Sequence, residues 1–147
     1  MASPRALSLI REFENFKPWP YLDVANHLTV GFGHLLHEGE LAEIPLPLQP
    51  ELGEKLLDED VRHTEAAIKR LVRVPLSYNQ YDALVSFIFN VGTSALTLGF
   101  GEALNAGRYE QAAEKMLLYT KIHLRGQVVD SEGLINRRKK EHDLFVA

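Results

Sequence analysis

Glu14-Asn15-Phe16-Lys17-Pro18-Trp19-Pro20-Tyr21-Leu22-Asp23-Val24-Ala25-Asn26-His27-Leu28-Thr29-Val30-Gly31-Phe32-Gly33-His34 is the stretch in which the hydrophobic period of the chain changes. Upstream of it, Leu7, Ile10 and Phe13 or Glu14 recur at helical spacing behind Ser3-Pro4, an N-cap followed by proline at the first helical position. The helix must stop near Phe16, because Lys17 precedes Pro18 and is disfavoured in the helical region. Between Tyr21 and His34 the period is two, with Leu28, Val30, Phe32 and His34 on one face and Thr29, Gly31 and Gly33 on the other. A β-hairpin or small sheet is expected, turning at Ala25-Asn26-His27, where Asn26 tolerates the left-handed conformation. The stretch also carries two carboxylates nine positions apart, Glu14 and Asp23, with Thr29 six positions further on. Two carboxylates placed around one cleft are what hydrolysis of a glycosidic bond needs.

Beyond this region the pattern is helical. The Pro-rich connector Ile44-Pro45-Leu46-Pro47-Leu48-Gln49-Pro50 separates the amino-terminal part from the rest. From Glu51 to Arg73 the positions Leu52, Leu56, Leu57, Val61, Thr64, Ile68, Leu71 and Val72 fit one long amphipathic helix, ended by Val74-Pro75. Ser77-Tyr78-Asn79-Gln80 is a capping-box pattern, and the run Tyr81 to Val91 behind it is apolar nearly all round, as in the central helix of a bundle. Gly92 ends that run. Shorter helices are expected around Gly101 to Ala106 and Tyr109 to Tyr119, and a last one from near Ser131 with Leu134, Ile135, Leu144 and Phe145 facing inward.

Composition narrows the class. The chain of 147 residues has the length of one domain, and at this size about 68 to 70% of the unfolded surface is buried on folding. With 46% hydrophobic and 24% charged residues of mixed sign it reads as globular. No apolar run reaches the ~20 residues of a membrane span. The segment Ala6 to Ile10 is too short for the core of a secretory signal. The absence of cysteine excludes disulfide and thiol chemistry, and a net charge of −4 argues against broad binding to nucleic acid or anionic membranes.

The pieces downstream of Thr29 are Leu56-Leu57 with Asp60, Val74-Pro75-Leu76, Asn79 to Phe87, Phe89-Asn90-Val91-Gly92, Leu104-Asn105-Ala106-Gly107 and Gly133 to Arg138. In order and spacing, together with Glu14, Asp23 and Thr29, they resemble the phage-type lysozymes, the endolysin glycoside hydrolases, over nearly the whole chain. The chain departs from that pattern at Asn15 and Asn26, where the family usually has glycine, at Leu98-Gly99 in place of a Ser-Thr pair, and at Tyr119 in place of a tryptophan. The resemblance implies an α+β, lysozyme-like fold in a single domain spanning 1–147. A small hairpin lobe (1–50) carrying the catalytic residues is joined by a long helix to a larger helical lobe (51–147). It implies hydrolysis of the β-1,4 bond between N-acetylmuramic acid and N-acetylglucosamine in bacterial peptidoglycan. Glu14, Asp23 and Thr29 are then the catalytic residues, His34, Leu35, Phe89 and Asn90 substrate contacts, and Arg137 a support reaching back to Glu14. No cofactor, metal or nucleic-acid partner is expected, no stable membrane insertion, and a monomeric state. Synthesis in a host cytoplasm without a signal peptide, then assisted delivery to the periplasm or wall, completes the expectation.

The chemistry also follows from the residues. An acid must protonate the leaving oxygen while a base or nucleophile acts on the opposite face of the ring. Glu14, beside Phe13 and Phe16, is placed to lose solvent and stay protonated as that acid. Asp23 lies in a polar loop, and the Thr29 hydroxyl can hold a water against it, which makes direct displacement with inversion the expected course. Taken one at a time the same residues are ordinary: a helix-end charge, a turn former, a strand threonine. His34 can equally be a satisfied structural histidine, Phe89 plain core and Asn90 a cap. His34 and His37 lack a third ligand at metal spacing. Arg137-Arg138-Lys139-Lys140 is read as a solvated helix face, since the four point in different directions and Glu141 follows Arg137 by four. A lysozyme-fold module that binds glycan without cutting it is the alternative, and a DNA-binding helical domain a distant third.

Overall fold

The computed structural model describes residues 2–147. Helix α1 (Pro4–Glu14) starts as the sequence directs: the Ser3 hydroxyl accepts from the Ala6 amide and Pro4 occupies the first turn. It ends at Asn15, whose φ of 52° turns the chain out of the helix. The next residues form a three-stranded antiparallel sheet, β1 (Lys17–Leu22), β2 (Leu28–Gly31) and β3 (His34–Leu35), in the order β1-β2-β3. β1 extends further toward the amino terminus than the alternation from Tyr21 suggests. It holds Pro18 and Pro20, which an edge strand tolerates because its outer side owes no ladder bonds. Its register shifts between Lys17 and Tyr21, across those prolines. The alternation expected to run unbroken to His34 also breaks. Gly31 and Gly33 take positive φ, and the chain reverses at Phe32-Gly33 so that His34 pairs back on Val30.

Helix α2 (Pro50–Leu71) stops two residues short of the expected Arg73. Asn105 makes that stop: its carboxamide donates to the Leu71 carbonyl at 2.9 Å and accepts from the Arg73 amide at 2.7 Å. Helix α3 (Tyr78–Val91) carries the full capping box, Ser77 to the Gln80 amide and the Gln80 side chain to the Ser77 amide, and Asp82 to Ile88 are buried without interruption. Against it pack α1, α2 and the last helix. Helices α4 (Gly99–Asn105) and α5 (Tyr109–Met116) follow a short 3-10 turn, Thr93–Thr97. A hairpin absent from the sequence reading, β4 (Lys121–Leu124) and β5 (Gln127–Asp130), then leads into α6 (Glu132–Val146).

Two apolar clusters hold these elements. The larger joins Ile10 of α1, Leu57, Val61 and Ile68 of α2, the α3 face and α4 to α6; the smaller seats Val30 of β2 against Leu48 and Leu56. Thus α1 precedes the sheet in sequence but packs with the helices. The inward face of α6 is not the one expected. Leu134, Ile135 and Leu144 are only half-buried, whereas Arg137, Arg138 and Glu141 are buried along with Phe145. The reading of the Arg137-Arg138 pair as solvated is therefore wrong; Lys139 and Lys140 alone face solvent. Among the described residues, no helix is long and apolar enough to cross a membrane.

Candidate active site

The end of α1, the β1–β2 turn, the end of α3 and the β4–β5 hairpin enclose a cleft of about 1360 Å³. Glu14, Asp23, Thr29, Leu35, Phe89 and Asn90 all line it. Glu14 is fixed from behind. Arg137 Nη1 donates to its Oε1 at 2.8 Å, and the guanidinium stacks on the Phe13 ring at 5.1 Å. The other oxygen, Oε2, lies against Gly33: a Cβ there would stand 2.5 Å from it, so only a glycine, at φ +72°, leaves room for the carboxylate. Apolar neighbours were expected to desolvate Glu14; instead a buried cation meets it, and the two form an ion pair with side-chain exposures of 17% and 4%.

Asp23 spends one oxygen on the turn it closes. Its Oδ1 accepts from the Ala25 amide at 2.9 Å and the His27 amide at 2.8 Å, while Oδ2 stands 3.7 Å from the His27 ring. Asn26 takes the positive φ of 64° that this turn requires. Thr29 is buried beside it, and its hydroxyl donates to the His27 carbonyl at 2.8 Å, which leaves the oxygen's lone pairs free to accept. Asn90 gives its Oδ1 to Arg138, so its amide nitrogen is the part available to the cleft.

His34 is not in the cleft. It is buried with one ring nitrogen 2.8 Å from Asp60 and the other 2.8 Å from Glu40, so it bridges the sheet to α2. The hydrogen bond to Asp60, then that to Glu40, outweighs burial and pushes its pKa up to about 9. Burial pushes Glu40 the other way, but the bonds from the His37 amide and His34 hold its carboxyl below the ordinary range.

The phage lysozyme family model matches residues 11–141. The chain belongs to the phage lysozyme family. It is a glycoside hydrolase by that membership. It is 35% identical to the endolysin of Salmonella phage P22 over 147 residues, which cover 99% of this chain and 97% of that one. The endolysin from Escherichia coli O157:H7 phage FAHEc1 superposes with a TM-score of 0.86 at 33% identity, covering 99% of this chain and 93% of that one. The muramidase domain of SpmX from Asticaccaulis excentricus gives 0.86 at 31%, covering 100% and 98%.

Several residues of this lysozyme's cleft are not evident in the sequence. Behind Glu14, Arg137 and Arg138 share Glu141, which is fully buried and also accepts from Ser86 at 2.5 Å. Arg138 donates to the Tyr119 carbonyl at 2.9 Å and lies over the Phe87 ring. Burial pulls its guanidinium down from its ordinary pKa, Glu141 opposing. The other missed residue is Tyr21. Burial raises its phenol pKa first, and the charges of Glu14 and Asp23 raise it further, so one hydroxyl lies in the field of both carboxylates. The signal for the first group was present in Gly133 to Arg138, and the resemblance implied the contact of Arg137 with Glu14 that the structure shows; Glu141 and the partners on α3 were not expected.

Proposed function

We propose that the cleft hydrolyses the β-1,4 bond between N-acetylmuramic acid and N-acetylglucosamine of bacterial peptidoglycan by a single displacement with inversion. Glu14 gives its proton to the glycosidic oxygen as the bond to the leaving sugar breaks. A water accepted by the Thr29 oxygen and Asp23 Oδ2 attacks the anomeric carbon from the opposite face, and Asp23 takes its proton. What carries this reading is the fixing of Glu14: Arg137 binds Oε1 and the bare backbone of Gly33 lets Oε2 turn to the cleft. Arg137 is itself divided between Glu14 and Glu141, which tempers its hold on the acid. Leu35 and Phe89 offer apolar surface to the sugar faces, and the Asn90 amide nitrogen a donor. The sheet and its connector up to residue 50 form one jaw around the bond, and the helical lobe (51–147), with α1 packed on it, the other.

The test is release of reducing ends from purified peptidoglycan by the wild type and by Glu14→Gln, with the anomer of the first product read by NMR. The expected result is an α-configured product and a loss of activity of about 10²-fold or more in the variant. A β-configured product would overturn inversion. Undiminished activity in Glu14→Gln would overturn the acid role.

A further inference from the structure

The cleft is walled by two hairpins whose tips are built differently. At the β1–β2 tip, Asn26 occupies the position of positive φ, as the steric rule favours. At the β4–β5 tip, the two residues between Leu124 and Gln127 are Arg125 and Gly126, with φ of 52° and 78°. A two-residue hairpin of this kind selects asparagine, aspartate or glycine at its first central position, because a side chain with a Cβ and long stem is strained there. Arginine is therefore a costly choice for the turn alone. Its side chain is exposed and lines the cleft.

Charge pairing in the cleft singles out the same residue. Arg138 is bound to Glu141 and Lys121 to Asp130 at 2.7 Å. Among the described residues, Arg125 is the permanent cation of the cleft lining that no carboxylate meets. The N-acetylated sugars of a peptidoglycan strand are uncharged where they would lie along the cleft. The anions of the polymer are the carboxylates of the peptide stems, which project sideways from the lactyl groups.

We propose that Arg125 is a specificity residue of the glycan cleft, binding a stem-peptide carboxylate and so favouring strands that keep their peptides. The inference rests on the cleft being the glycan site and adds a contact outside the reacting atoms. An exposed guanidinium–carboxylate contact of this kind is expected to change affinity by about three- to tenfold.

The test uses Glu14→Gln protein, so that ligand survives, and measures by calorimetry the affinity of a tetrasaccharide bearing tetrapeptide stems and of the same tetrasaccharide without stems, its lactyl carboxyls capped as methylamides so that it carries no charge. The stem-bearing ligand should bind more tightly, by about three- to tenfold. Arg125→Asn, a residue the turn accepts, should remove that advantage without weakening the bare glycan, and Arg125→Lys should keep most of it. With the wild-type acid restored, Arg125→Asn should raise KM on stem-bearing peptidoglycan and leave kcat unchanged. Equal affinity for both ligands, or an equal loss on both in Arg125→Asn, would overturn the role of Arg125 and leave the glycan cleft standing. Failure of both ligands to bind a folded protein would overturn the cleft assignment itself.

Discussion

His34 and Arg137 are both buried cations set between two carboxylates, yet they bear opposite relations to pH. Arg137 faces Glu14 and Glu141, and a guanidinium does not lose its proton in any ordinary condition. His34 faces Asp60 and Glu40, and an imidazole does. The cation behind the cleft therefore keeps its charge, while the cation joining the sheet to α2 can lose it as pH rises.

The comparison is broken most severely at Glu141. Replacing it with Ala leaves Arg137 and Arg138 buried without their shared anion, and should destabilise the fold by about 3–5 kcal/mol in urea titration. Arg137→Ala should cost somewhat less, about 2–4 kcal/mol, because Glu141 keeps Arg138 and Ser86 as partners. The same variant should lower kcat more than it raises KM, since Glu14 loses its only described anchor at Oε1. Unchanged activity and stability in Arg137→Ala would remove the positioning role.

Asp60→Asn should cost about 1.5–3 kcal/mol at pH 6, where His34 is charged, and distinctly less at pH 9.5. The sign follows from His34 having a higher pKa folded, about 9, than its ordinary 6.5. Its contribution is complete below 6.5 and is lost as pH rises toward 9. Glu40, lowered from 4.5, behaves in the opposite sense: its contribution is present above that value and is lost as pH falls through the carboxylate range. Thermal melts should thus show the His34 bridge at full strength between pH 4.5 and 6.5. Glu40→Gln is the mildest change, about 1 kcal/mol, as Asp60 still holds the ring.

Most of the helical frame was legible because its signals are local. Ser3-Pro4, the Ser77–Gln80 box and Gly92 each act within a turn of chain, and each does in the structure what its residue type dictates. The failures have different causes. The α6 face was misread because an arginine is buried or exposed according to partners, and those of Arg137 and Arg138 lie on α1 and α3. The β4–β5 hairpin was missed because four-residue strands joined by Arg-Gly lack the Asn-Gly signal of such turns. At the site, Glu14, Asp23, Thr29, Leu35, Phe89 and Asn90 share one cleft, but His34 lies outside it, its ring claimed by Asp60 and Glu40. Its alternating position alone could not reveal those two partners.

The contact between Glu14 and Arg137 closes a loop of 123 positions. The residues up to 130 include Glu14, Asp23 and Thr29, but Leu134 and Arg138 of the cleft lining come only with α6. Up to residue 130 there is neither Arg137 behind the acid nor Glu141 to balance it. On the proposed reading of Glu14, the acid is held only once α6 has packed against α1, so its geometry depends on residues more than a hundred positions away in sequence.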